Sequence, residues 1–187
     1  FRLMGQIAMF GLLCHLPKDK REIIVKSTME LLKSRLLNDE ITTSLWGSIA
    51  VYAEEFGLVE EFYDTLFQTH TSKHVEFLFT AGESLSIIAG GWTSSVLTDQ
   101  VDVGQYSQDV IKHLSSQFYQ ERNVEYVLHK LLEACNSTKP SLRKASCIWL
   151  LSIVQYLKNN PVITRLSKDI HLRFMKFLAD SDDMVQD

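Results

Sequence analysis

Apolar side chains recur along most of this chain at steps of three and four residues, and only short breaks separate the periodic segments. That spacing places the apolar positions of each segment on one face of an α-helix and does not fit the two-residue alternation of a half-buried strand. The sequence has three prolines, Pro17, Pro140 and Pro161. It has no series of short alternating runs bounded by Asn-Gly or Asp-Gly turns, so a β-rich fold has little support. The expected class is all-α.

Punctuation residues divide the chain into helices. Asp19 reads as the N-cap of a helix over 19–37, with Ile23, Ile24, Met29, Leu31, Leu32 and Leu36 supplying a broad apolar face. Asn38 and Asp39 reset the chain, and a second helix over 41–56 ends at Gly57. A third covers 59–68, and a fourth opens after Ser72 and runs over 75–89. Residues 92–104, "WTSSVLTDQVDVG", keep no helical period and read as an irregular connecting loop. Helices resume over 106–119 and 124–135. Pro140 suits a first turn, where its missing N–H has no intrahelical partner, and that helix continues over 142–157 with apolar residues almost all round. Another follows over 168–178, and "ADSDDMVQD" opens one more.

The fourth helix holds the two motifs that resemble enzyme chemistry. Val75, Leu78, Gly82, Leu85 and Ala89 share one face, so Gly82 lies on the packing stripe and lets another helix approach closely. Ser84 falls on a different face, and a hydrolase nucleophile elbow needs glycine where this chain has Ser86. Gly90-Gly91 stands where the periodicity stops and reads as a C-cap; a phosphate loop would need further glycines, a lysine or a preceding strand.

The remaining chemistry-bearing residues read as structural. His70 and His74 are separated by a turn and offer too few ligands for zinc, and Cys14-His15 has no further ligand near it in sequence. Glu54-Glu55 and Glu60-Glu61 flank Gly57 and read as a solvated face. Glu83 lies beside the apolar stripe and reads as a structural hydrogen-bonding partner for a neighbouring helix. Trp46, Trp92 and Trp149 lack the interleaved Lys and Arg of a base-stacking platform and read as core or interface residues. No catalytic residue, cofactor or metal is expected.

Composition narrows the partners. The formal net charge is −4 over 187 residues, with no basic block of the kind that binds nucleic acid or an anionic membrane. The apolar run at 145–157 is broken by Ser152 and Gln155 and falls short of the roughly 20 residues that span a bilayer. Three cysteines, Cys14, Cys135 and Cys147, do not make a disulfide framework, so a reducing compartment is expected. The Asn136-Ser137-Thr138 sequon matters only in a secreted protein. The chain opens without methionine inside a helical pattern, so residues 1–187 read as a single fragment of a longer array.

Helix pairs recur at 59–68 with 75–89, at 124–135 with 142–157, and at 168–178 with a helix near Val185. The second-helix starts at Leu142 and Val185 fall within the span of about 40 to 47 residues typical of HEAT and armadillo units. The interval from Val75 to Leu142 is longer because of the residues between Trp92 and Tyr119. An α-solenoid of stacked HEAT-like pairs is the expected architecture.

"AGESLSIIAGGW" (81–92), "RKASCIWLLSIVQYLKNNP" (143–161) and "FMKFLADSDDMVQD" (174–187) resemble segments of the large HEAT-repeat proteasome adaptor and scaffold proteins. The resemblance runs from about Val75 onward. It implies a non-catalytic cytoplasmic and nuclear scaffold that contacts the proteasome core particle and regulatory particle, with no direct nucleic-acid binding and no membrane insertion. The alternative within the same architecture is a HEAT-repeat nuclear transport receptor or phosphatase scaffold, with a catalytic domain a distant third. For a local partner contact the irregular loop is the candidate, through Trp92, Asp99 and Asp102.

Overall fold

The computed structural model of the chain describes residues 12–35, 39–97, 120–182 and residue 185. Among them there is no strand, in agreement with the helical spacing. Seven helices are labelled here: α1 (Lys18–Lys33), α2 (Glu40–Ala50), α3 (Val59–Phe67), α4 (Val75–Gly90), α5 (Glu121–Ala134), α6 (Pro140–Tyr156) and α7 (Pro161–Leu178). The expected helix over 106–119 and most of the one after Asp180 lie outside the described residues.

Local signals set most boundaries. The Asp39 carboxylate accepts the Ile41 and Thr42 amides and caps α2, satisfying donors that have no intrahelical partner. After Ala50 the chain tightens into i+3 bonds, Tyr52 N–H to Ile49 and Ala53 N–H to Ala50, and then forms a 3₁₀ turn at Glu54–Phe56. The expected single helix over 41–56 is therefore an α-helix followed by tighter turns. Gly57 ends it in the left-handed region at φ 66°. The Leu58 amide reaches back to the Ala53 carbonyl and the Gly57 amide to Glu54, which is the Schellman closure that glycine permits without strain.

Three other expectations are corrected. Pro17, with ψ at 150°, occupies the N-cap of α1, and Asp19 lies in its first turn, where a carboxylate favours the helix dipole. The buried stripe of α1 is Val25, Met29 and Leu32, and Ile23 and Leu31 are each 65% exposed. Helix α7 begins at Pro161, with Asn160 capping the Val162 amide at 2.9 Å. The β-branched residues at its start hid that turn from the periodic reading.

Helix α4 is the centre of the packing. It lies between α2 and α6 and also touches α3 and α5, and from Phe77 to Gly90 it is buried on almost every side. Two close approaches make this possible. A Cβ on Gly47 of α2 would sit 2.5 Å from Ser84 Oγ and 2.8 Å from Ser84 Cα. On the opposite flank, a Cβ on Gly82 would sit 2.2 Å from Ser152 Oγ and 2.7 Å from Ser152 Cβ of α6. Each contact pairs one glycine with one serine, so the backbones meet with almost nothing between them.

Buried indoles fasten the same helices. Trp149 Nε1 donates to the Leu78 carbonyl of α4 at 3.1 Å, and Trp46 Nε1 donates to the Phe62 carbonyl of α3 at 3.1 Å. Both tryptophans are fully buried, so each must find an acceptor for its N–H.

Several contacts between successive parts of the chain have similar sequence separations, although Lys33 with Glu61 is closer, at 28 residues. Arg21 with Glu55, Ser84 with Thr43, Arg143 with Asp180, Arg165 with Glu125 and Arg173 with Asn136 lie 34 to 41 residues apart. Where the interval contains residues 98–119, the separations rise to between 68 and 73, as for Glu54 with Arg122, Trp149 with Leu78 and Tyr156 with Glu83. The longer interval seen in the sequence is thus an insertion between elements that still pack as neighbours.

Replacing Gly82 with alanine should destabilise the fold by about 1–3 kcal/mol through overpacking against Ser152. Adding Ser152→Gly to Gly82→Ala should restore part of the loss. Thermal melts of the single and double variants check this; a Gly82→Ala protein that melts with the parent contradicts the close approach.

Candidate functional site

The motif that most resembled a catalytic serine is part of a helix crossing. Ser84 is 2% exposed, and its Oγ donates to the Thr43 carbonyl at 2.8 Å. That proton is spent on the α2 backbone. Gly91 closes α4 at φ 54° with its amide on the Ile87 carbonyl, so the Gly-Gly pair is a helix terminus.

The carboxylates behave differently from the expected solvated face. Glu55 takes a bidentate pair from Arg21, at 2.9 Å to Nε and 2.8 Å to Nη2, and the two side chains are 6% and 11% exposed. The same guanidinium donates to the Leu13 and Leu16 carbonyls and lies 5.4 Å from the Tyr52 ring centroid. Glu54 accepts from Arg122 and from Asn123 Nδ2, which ties the end of α2 to the start of α5. These pairs are structural clamps; sequence reasoning missed them because the partners are remote in sequence. Glu60 and Glu61 are exposed as expected. Tyr156 donates to Glu83 at 3.4 Å, so the partner of Glu83 on the neighbouring helix includes a phenol.

The three cysteines are free thiols. Burial pushes Cys135 up to about 12 and Cys147 up to about 11, which keeps both protonated and unreactive at neutral pH. No group of three or more metal-ligating side chains exists among the described residues. His70 sits at the core edge with its ring 5.7 Å from Phe67, and His74 is the exposed N-cap residue of α4. No described helix is long and apolar enough to cross a membrane.

The partner-contact candidates separate. Trp92 is 5% exposed and stands edge-on to Tyr52 at 6.2 Å between centroids, so it is a core residue and not a surface contact. The start of the expected loop is itself ordered packing: a 3₁₀ turn covers Gly91–Thr93, and Val96 and Leu97 are buried. Asp99 and Asp102 lie outside the described residues.

What the described surface does offer is a seam between α3 and α5. Two open hollows lie there, and Tyr126 lines the smaller. One, of about 540 Å³, is lined by Tyr63, Asp64, Phe67, Lys130, Glu133 and Leu142 among others. The second, of about 380 Å³, is lined by Glu54, Glu60, Arg122 and neighbouring residues.

The described residues form a body of helices packed on one another. Comparison with known proteins specifies the family. The chain is 39% identical over 186 residues to the Saccharomyces cerevisiae protein named proteasome component ECM29, an alignment that covers 100% of this chain and 10% of that protein. It is 31% identical over 132 residues to the Schizosaccharomyces pombe proteasome component ecm29, covering 70% of this chain and 7% of that protein. The human proteasome adapter and scaffold protein ECM29 is 29% identical over 119 residues, covering 62% of this chain and 6% of that protein. The chain belongs to the ECM29 family and spans about a tenth or less of the length of these relatives. The yeast alignment extends the similarity through the first part of the chain, where the sequence motifs had not carried it. No protein-family model and no solved structure matches the chain.

His70 gives a pH test of this packing. Burial above all, and Lys139 in addition, hold its pKa below the ordinary value, so the unfolded chain binds the proton more readily. The resulting stability is complete above the unfolded value of about 6.5 and is lost as pH falls through the folded one. Melting temperature should therefore drop below that pH less steeply in His70→Gln than in the parent, and identical slopes contradict the assignment.

Proposed function

We propose that the chain is a segment of a non-catalytic scaffold that associates with the proteasome, built as an α-solenoid of stacked HEAT-like helix pairs. The observation that carries this reading is the 39% identity along the whole chain to a protein named as a proteasome component. The human relative's name, adapter and scaffold protein, supports a role in binding over one in catalysis. In the structure Ser84 and Cys135, two of the side chains that could have done chemistry, are taken up in packing.

The solenoid reading is supported by two features. Contacts between successive units recur at separations of 34 to 41 residues, and α2, α4 and α6 lie side by side as second helices of consecutive pairs would. The first pair, α1 with α2, is one the sequence periodicity had not singled out. In this reading the intact protein lies in the cytoplasm and nucleus and links or inspects the core and regulatory particles. No observation favours the transport-receptor or phosphatase-scaffold alternative.

Full-length protein should co-purify with subunits of both proteasome particles, and this segment alone should recover them far less well, because linked contacts gain from effective concentration. Recovery of no proteasome subunit with intact protein would sink the reading. With Trp92 assigned to the core, Asp99 and Asp102 remain as contact candidates; Asp99→Asn with Asp102→Asn should lower recovery while leaving the melting temperature unchanged, and undiminished recovery removes them.

A further inference from the structure

Helix α7 buries one side and leaves the other uncovered. Val162, Ile163, Ile170 and Phe177 are in the core, while Leu172, Met175 and Leu178 are 49%, 51% and 75% exposed. Lys168, Leu172 and Met175 follow steps of four and three and so share one face. Leu178 lies three residues beyond Met175 and Lys176 four beyond Leu172, so both adjoin that face.

The charges around this patch are unspent, unlike those of α1. There the exposed Ile23 and Leu31 stand among cations that are already paired, Lys26 with Glu22 and Lys33 with Glu30 and Glu61, each at 2.6 Å. On α7 neither Lys168 nor Lys176 forms an ion pair among the described residues. Glu121 and Glu125 of α5 are held by Arg165, and Asp180 is held by Arg143. Asp169, the one acid of α7, projects about 100° around the helix from Lys168. Lys176 stands in the last turn, where a cation favours the helix dipole; the dipole does not account for Lys168 at mid-helix. The helix carries four basic residues in a chain of net charge −4.

Shape and sign together specify an occupant. Lys168 and Lys176 are separated by about 12 Å along the axis at the rise of an α-helix, and the apolar side chains lie between and beside them. A helix whose apolar stripe is bracketed by carboxylates about two turns apart matches both features. An anionic bilayer offers the same sign over a broad plane, from which a chain of net charge −4 is repelled. An acidic helix needs to meet α7 alone.

We infer that the uncovered face of α7, formed by Lys168, Leu172, Met175, Lys176 and Leu178, is a docking surface for an acidic amphipathic helix of a partner protein. The partner's apolar side chains lie on Leu172, Met175 and Leu178, and its carboxylates pair with the two ammoniums. This assignment does not depend on which assembly the protein serves.

The test is hydrogen exchange read by mass spectrometry on the full-length protein. The probe is an acetylated and amidated peptide of two Leu-Glu-Ala-Leu-Glu-Ala-Glu repeats, and its counterpart has lysine for every glutamate. At a glutamate-peptide concentration equal to its dissociation constant, exchange in 165–179 should slow about twofold, and the lysine peptide should leave it unchanged. Lys168→Glu combined with Lys176→Glu should reverse this preference, so that the lysine peptide protects and the glutamate peptide does not. Unaltered exchange in α4 shows that the variant is folded. Four results would overturn the inference: no protection by the glutamate peptide, as when another part of the intact chain covers the face; equal protection by both peptides; protection by the glutamate peptide that persists in the double variant; or protection by phosphatidylcholine–phosphatidylserine vesicles in place of the peptide.

Discussion

The structure depends on how closely α4 can approach the helices on its two flanks. Gly47 admits Ser84 on one side, and Ser152 admits Gly82 on the other. Contact at this range brings whole backbones into van der Waals reach and leaves no room for a side chain larger than serine, so the register of three helices is fixed together. The serine hydroxyls then bond to backbone, Ser84 to Thr43 and Ser152 to Ile148, so neither buried oxygen is left unpaired. The indoles of Trp46 and Trp149 complete the arrangement from further out, each combining a large apolar surface with one directed hydrogen bond.

Around this centre, charge pairs join segments that the glycine contacts do not reach. Arg21 binds Glu55 and two carbonyls before α1, and Arg143 binds Asp180 and the Ser137 carbonyl before α6. Each guanidinium thus holds a turn and an acid 34 or 37 residues away. Removing one partner from the well-buried Arg21–Glu55 pair would strand a charge, which costs more than the pair itself contributes. Together these devices satisfy many of the interior's polar groups, although the Tyr52 and Tyr63 hydroxyls and Ser146 Oγ are buried without a hydrogen-bond partner among the described residues.

Much of this was legible in the sequence because it is local. The three-and-four spacing gave the helices, Gly57 and Gly91 gave two of their ends, and Gly82 was recognisable as a close-approach position from its place on the stripe. The failures are also physical. The i+3 tightening after Ala50 leaves no mark in the apolar period. Ile23 and Leu31 read as core although they are exposed, because periodicity reports a face and not what covers it. Trp92 read as a loop residue because its partner, Tyr52, is on another element, and the role of Glu54 and Glu55 was hidden for the same reason. The Tyr63 hollow could not be read at all, since α3 and α5 meet only after the insertion at 98–119 is bypassed.

The central claim is that α4 is the member on which the rest is assembled. Native-state hydrogen exchange measures this directly, because amides released only by global unfolding exchange most slowly. The account predicts that the slowest amides lie in α4 between Phe77 and Ala89, with those of α1 and α7 exchanging faster through local opening. Exchange in α4 as fast as in α7 would contradict it.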